Sequence, residues 1–227
     1  MSYVLICAMD SEAEGFRNKL DGRTDEEVCG LLFSSGTILG NSVTVVKCGV
    51  GKVNAAACAQ IAILRYAPDC LINVGVAGGV GAGIRTGHLV VGSDTVQYDF
   101  DLTAIGEEDG LVFPCDEDLS RRLYAAARQV FPDSQLSLGR IATGDRFVGD
   151  SVTASRIRDR YQALACEMEG GAVAQVCANN RVPCGVIRAI SDNANEHSDV
   201  DFPTFLASAV SRTEKLMLAF FDAENKR

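Results

Sequence analysis

Short apolar runs alternate along this chain with segments of helical character, and that alternation constrains the fold more than any other feature. Residues 3–8 read as a buried strand. Residues 11–20 read as a helix, with Asp10 or Ser11 as N-cap and Glu12 and Glu14 in its first turn. Strands are expected near 28–34 and 43–47, with Gly40 and Asn41 turning the chain between them. The Ala-rich stretch 54–66 is a helix that ends before Pro68, and 70–76 and 89–99 are strands. A helix over 116–130 is stopped by Pro132, followed by a strand at 138–143, a helix at 151–160 and a short strand at 164–166. A helix at 168–179, a strand at 183–191 and a long closing helix at 202–223 complete the chain. Strands that alternate with helices imply an α/β fold with a largely parallel sheet.

The 227 residues fit one domain spanning 1–227. A chain of this size buries roughly 70% of its unfolded surface and needs no cross-links to fold. Lys and Arg number 21 against 30 Asp and Glu, for a net charge of -9. That balance argues against nucleic acid as a partner, because phosphate binding needs a basic patch, but leaves an uncharged nucleoside open. The nine cysteines include no CxxC pair and fit neither a disulfide framework nor a zinc site. They read as small buried hydrophobes in a reducing cytosol, so the expected location is cytoplasmic. The start, "MSYVLICAMDSEAE", has no basic n-region or cleavage site, and no apolar run approaches the ~18 residues of a membrane span. With two histidines in the chain, a multi-histidine metal centre is not available, and no metal is expected.

Four segments carry candidate chemistry. In "INVGVAGGVGAG", residues 72–83, an apolar strand runs into a glycine-rich loop that allows close backbone approach to a ligand. No Gly-Lys-Ser/Thr follows, so it is not a P-loop, and the dinucleotide register G-x-G-x-x-G fails here and in "GVGKVNAAA", residues 49–57. A tight strand-to-loop connection explains the glycines equally well. In "ACEMEGGAVA", residues 165–174, Glu167 and Glu169 flank Met168 where a strand passes into an apolar helix. Acids at a helix start are often dipole partners alone, but two of them beside an apolar run require at least one to face inward. In "VIRAISDNAN", residues 186–195, an apolar strand containing Arg188 ends in Ser191 and Asp192, where parallel strands present ligand sites. An Asp in that position also serves simply to cap a turn. Glu12, after strand one, is a further candidate or a first-turn helix acid.

Together, "AMDSE" at 8–12, "GVGKVNAA" at 49–56, "NVGVAGG" at 73–79, "TGDRFV" at 143–148, "CEMEGGAVA" at 166–174 and "IRAISD" at 187–192 resemble the nucleoside phosphorylase family, nearest to its 5′-methylthioadenosine/S-adenosylhomocysteine nucleosidase branch. Six motifs in order over nearly the whole chain make the resemblance specific. It implies a three-layer α/β/α fold with a mixed central sheet, a homodimer, no cofactor, and an adenine nucleoside and water as partners. The implied reaction is hydrolysis of an N-glycosidic bond, releasing adenine and a 5-thioribose derivative.

The implied roles map onto this chain residue by residue. Asp192 matches the general acid, which needs burial or a hydrogen-bonded setting to give up a proton near neutral pH. Glu12 matches the residue that orients and deprotonates water. Glu169 matches the carboxylate on the ribose hydroxyls, where its charge favours a developing cation. Arg188 matches a residue near the water and ribose, and Met168, beside Glu167, packs beneath the ribose. Phe147 matches the ring that stacks on adenine, and the Val148 backbone reads the purine edge. Met9, Phe202 and Phe205 belong to the cover of the 5′-substituent, and Val50 adds to that apolar pocket. Within the "GVAGG" loop, before Ala77 and Gly78, Val76 departs from the Ser or Thr common in the family. The acid at position 12 disfavours a phosphate dianion, so water is the better co-substrate. A futalosine-type nucleoside hydrolase, a purine nucleoside phosphorylase and a non-catalytic nucleoside-binding module are the alternative readings.

Overall fold

The computed structural model describes residues 1–106, 108–195 and 197–227, with the backbone alone at Asp199. Among these residues, ten strands join in one mixed sheet with helices on both faces. The frame of the sheet is four parallel strands in the order β4 (Asn41–Lys47), β1 (Ser2–Cys7), β5 (Cys70–Gly79) and β10 (Cys184–Asp192). Their carboxyl ends share one edge. β1, β5 and β10 are buried on both faces and mostly apolar, as strands sandwiched between helix layers are.

Helices α1 (Asp10–Arg17), α3 (Glu117–Val130) and α6 (Ser198–Asn225) cover one face. Phe16, Leu119, Leu123, Leu216 and Phe220 pack there against β1, β5 and β10. Helices α2 (Lys52–Tyr66) and α5 (Gly170–Asn180) cover the other, where Ala55, Cys58, Ala59, Ala62, Ala172 and Val173 meet the sheet. These small side chains let the two helices lie close to the strands. The expected three layers are therefore present.

Beyond β10 the sheet curls. β10 pairs antiparallel with β6 (Leu89–Asp101), β6 runs parallel to β8 (Leu136–Thr143), and β8 runs parallel to β9 (Ala165–Glu167). β9 then returns antiparallel onto β5 through Gly78 and Gly79. The five strands β5, β10, β6, β8 and β9 close a ring whose last link is that short β9 contact. Helix α4 (Ser151–Tyr161) packs outside the ring through Ala154, Ile157 and Tyr161, against Val96 and Ala142.

Several boundaries differ from the sequence expectation for physical reasons. Helix α1 stops at Arg17, and the chain enters β2 (Asp21–Val28), which the sequence reading left unassigned. β2 is an edge strand exposed over seven of its eight residues, so it has no apolar face to announce it. It pairs with β3 (Leu31–Ile38), which turns into β4 through Leu39 and Gly40, both at positive φ, as a two-residue hairpin turn requires. β7 (Asp109–Pro114) was also unassigned and pairs with the outer half of β6. Helix α6 starts at Ser198 and carries Pro203 in its second turn, where the sequence placed the start at 202.

Candidate active site at the carboxyl edge of the parallel strands

A cavity of about 290 Å³ opens at the carboxyl ends of β1, β5 and β10. Of the sixteen residues singled out by sequence, thirteen border it. Val148 borders a small recess of about 40 Å³ that shares Gly78, Phe147, Met168 and Asp192 with the main cavity.

One end of the cavity is built of buried charge. Glu12 is the third residue of α1, and its side chain folds back over the start of its own helix. Oε2 accepts the backbone N–H groups of Ala8 at 2.9 Å and Met9 at 3.0 Å, and Oε1 accepts that of Val76 on β5 at 3.0 Å. The carboxylate thus ties β1 to β5. Burial raises its pKa above the ordinary carboxylate value; Arg188 and the three backbone donors oppose that rise without cancelling it. Gly75 is what lets Glu12 sit there, because a Cβ at this position would lie 2.7 Å from Oε1.

Glu167 and Glu169 leave β9 for α5, and their surroundings differ. Glu167 accepts the N–H groups of Glu169 at 3.1 Å and Gly170 at 2.7 Å, the Thr143 hydroxyl, and the Arg188 guanidinium. Both its oxygens are consumed by the protein. Glu169 accepts Gly51 N–H at 2.8 Å through Oε1, and its Oε2 lies 4.0 Å from Arg188 Nη2. Burial, and then the like charge of Glu167, pushes the Glu169 carboxyl upward.

Arg188 does not border the cavity, contrary to the expected place beside water and ribose. Its side chain lies behind the wall, 1% exposed. Its donors go to the Asn73 and Ile187 carbonyls at 3.2 and 2.9 Å, to the Asn73 side chain and to Glu167. One guanidinium thus backs three buried carboxylates, and the wall presents an excess of negative charge.

The other end carries Asp192, at the end of β10. Oδ2 accepts the Ser191 hydroxyl at 3.0 Å and Oδ1 accepts Ala194 N–H at 2.9 Å. Ala194 holds φ at 49°, a left-handed conformation unusual for alanine, and so turns its N–H back to the carboxylate. Gly78 gives the Asp192 side chain room, since a Cβ there would stand 3.1 Å from Oδ1. Phe147, 48% exposed, meets Phe202 edge-to-face at a centroid distance of 5.9 Å and 83°. Phe205, expected beside Phe202, lies elsewhere. It lines a separate depression with Ile190, Ser208 and Ala209.

Sequence reasoning missed Ala8 and Cys166 in the lining, and the Gly51 donor. Cys166 stands next to Glu167 in the same motif, but a cysteine in an apolar run carries no signal of facing a cavity. Burial pushes its thiol up, so it stays protonated and is a poor nucleophile. Among the described residues no group of His, Cys, Asp and Glu is arranged to hold a metal ion, and no helix is long and apolar enough to cross a membrane.

The family model described as "Phosphorylase superfamily" matches residues 2–222. A 5′-methylthioadenosine/S-adenosylhomocysteine nucleosidase of Anoxybacillus flavithermus is 38% identical over 233 residues, covering all of both chains. The crystal structure of the corresponding nucleosidase from Neisseria meningitidis, in complex with methylthio-immucillin-A, is similar with a TM-score of 0.94 and 33% identity, over 98% of this chain and 99% of that one. A futalosine hydrolase mutant of Helicobacter pylori is similar at a TM-score of 0.91 and 27% identity, over 98% of this chain and all of the other.

Proposed function

The chain belongs to the phosphorylase superfamily, and we propose that its cavity hydrolyses the N-glycosidic bond of 5′-methylthioadenosine and S-adenosylhomocysteine, releasing adenine and a thioribose derivative. The observation that carries the reading is Glu12, a cavity carboxylate held by three backbone donors and raised by burial, in the same pocket as Asp192.

The purine lies at the Phe147 and Val148 end, and the ribose lies over Met168 beside Glu169 and Glu12. Asp192 gives a proton to the five-membered ring of the leaving purine. The glycosidic electrons depart with adenine, and the ribosyl carbon becomes cation-like. Negative charge on Glu12 and Glu169 stabilises that carbon in a site shielded from bulk water. Water attacks it, and Glu12 takes the proton that water gives up. Solvent then returns one proton to Asp192 and removes one from Glu12, so the net change is one water consumed. Glu12 and Glu169 act as anions with raised pKa values, so kcat/KM falls on the acid side at a higher pH than an ordinary carboxylate would dictate.

Water rather than phosphate is the co-substrate. The guanidinium behind the wall, Arg188, is committed to Glu167 and Asn73, and the carboxylates repel a dianion. Exposed apolar side chains, Val50 at the cavity and Val53 in the first turn of α2, support a homodimer. Nine free cysteines, eight of them buried, support a cytoplasmic setting.

The test is adenine release from methylthioadenosine and adenosylhomocysteine in phosphate-free buffer, with a futalosine-type nucleoside in competition. Rapid adenine release without phosphate is expected. Release only from the competitor would move the reading to the hydrolase represented by the Helicobacter pylori structure, and binding without release would make the chain a binding module.

A further inference from the structure

The start of α2 does more than hold Glu169. Gly51 N–H binds that carboxylate, and the next donor, Lys52 N–H, goes to Asp145 Oδ1 at 2.8 Å. Asp145 N–H in turn donates to Asp99 Oδ2 at 2.9 Å. The Lys52 ammonium closes the loop on Asp99 Oδ1 at 2.5 Å, with its side chain only 16% exposed. Three segments distant in sequence therefore meet through Lys52: the α2 start, the outer part of β6, which takes the ammonium, and the loop 144–150 after β8, which takes the backbone N–H. None of the three side chains borders the cavity. Asp145 is two residues before Phe147, the half-exposed ring of the purine end. Tyr98, beside Asp99, reaches the same loop through the Arg146 carbonyl at 3.5 Å, and Gly144 packs on its ring. Gly51, at φ 100°, takes a backbone conformation open to glycine, and a Cβ there would stand 3.2 Å from Asp145 Oδ1.

We propose that Lys52, Asp99 and Asp145 form a clasp that positions the Phe147 loop for purine binding, anchored on the same helix start that holds Glu169. The proposal rests on the nucleoside reading above. The Lys52 ammonium neutralises Asp99, which takes the Asp145 N–H, while the Lys52 backbone N–H holds the Asp145 carboxylate. Without the ammonium the two carboxylates repel, and the loop leaves the place where Phe147 meets the purine. The Gly51 bond to Glu169 is made by backbone at the N-cap of α2, whose body packs on α5 through Ala and Cys side chains, so the ribose end keeps its geometry. Lys52, Asp99 and Asp145 are positioning residues.

Lys52→Met separates the two ends. The KM for methylthioadenosine and the Kd for adenine are expected to rise together by about fivefold, the scale of a partly exposed ion pair. kcat is expected to stay within about twofold, and Lys52→Arg recovers most of the binding. Amide exchange over residues 144–148 should quicken in Lys52→Met and recover in Lys52→Arg. Asp99→Asn keeps an acceptor for Asp145 N–H without the charge; it should show a smaller rise and serves if Lys52→Met does not fold. Unchanged adenine Kd and unchanged exchange in a folded Lys52→Met protein overturn the clasp, as does a fall in kcat with KM unmoved. A wild-type protein that does not release adenine overturns the functional reading instead, and the exchange measurement still decides the clasp.

Discussion

The two ends of the cavity are built by opposite means. At the ribose end three carboxylates are buried and bound to backbone N–H groups that regular strands and helix starts supply, as the purine end's buried acid, Asp192, is by Ala194; Glu12 is 2% exposed. At the purine end Phe147 is 48% exposed, on a loop tied through Asp145 to the surface Lys52–Asp99 pair and through one aromatic edge to Phe202. The contrast separates stabilisation of developing charge, which needs dipoles that do not reorganise, from recognition of a flat ring, which needs a surface that admits it. Damage to the first should therefore cost folding and rate, and damage to the second should cost affinity.

The largest effect is expected where charge is most buried. Arg188→Met strands Glu167 and Glu169 without a counter-charge and should cost about 3–5 kcal/mol of stability in urea unfolding. The same change at Arg146, 71% exposed by side chain at the purine end, should cost within about 0.5 kcal/mol. Equal losses at the two arginines would erase the contrast.

Next comes Asp192→Asn, which keeps shape and the Ser191 and Ala194 contacts but has no proton to give. kcat should fall roughly 10²-fold or more, while adenine still binds. Near wild-type turnover would remove Asp192 from the acid role. Phe147→Ala should reverse the pattern, with KM up about tenfold from lost stacking and kcat little changed. A loss confined to kcat would place Phe147 in the chemistry rather than in recognition.

How much of this was readable from sequence follows the same division. β1, β5 and β10 were legible because strands covered on both faces carry long, mostly apolar runs, and α2 and α3 because Pro68 and Pro132 mark their ends. β2 was not, since an exposed edge strand such as "DGRTDEEV" carries no alternation. The closing of β9 onto β5 depends on Gly78 meeting Cys166, a contact no local pattern encodes. In the site, the motifs marked Glu12, Glu169 and Asp192. They did not tell that Glu167 is consumed by Thr143 and Arg188, 24 and 21 residues away, or that Arg188 faces backward. Phe205 was misplaced because proximity to Phe202 in sequence was read as proximity in space.

The smallest effect tests Val76, which sits between the two ends. Its backbone N–H serves Glu12, and its side chain offers no hydrogen bond, but Ser191 already donates to Asp192. Val76→Ser should leave kcat/KM unchanged or raise it by at most about tenfold, with ~1 kcal/mol of stability lost with the buried methyl groups. A large fall in activity would mean the valine shapes a pocket for a different 5′-group.

The central claim, that the carboxylate end delivers water to the ribosyl carbon, is tested most directly by running the reaction on methylthioadenosine in ¹⁸O-enriched water with phosphate present. One ¹⁸O is expected on the anomeric carbon of the thioribose product, at the same rate with and without phosphate. A sugar phosphate as product, with no ¹⁸O on that carbon, would contradict it.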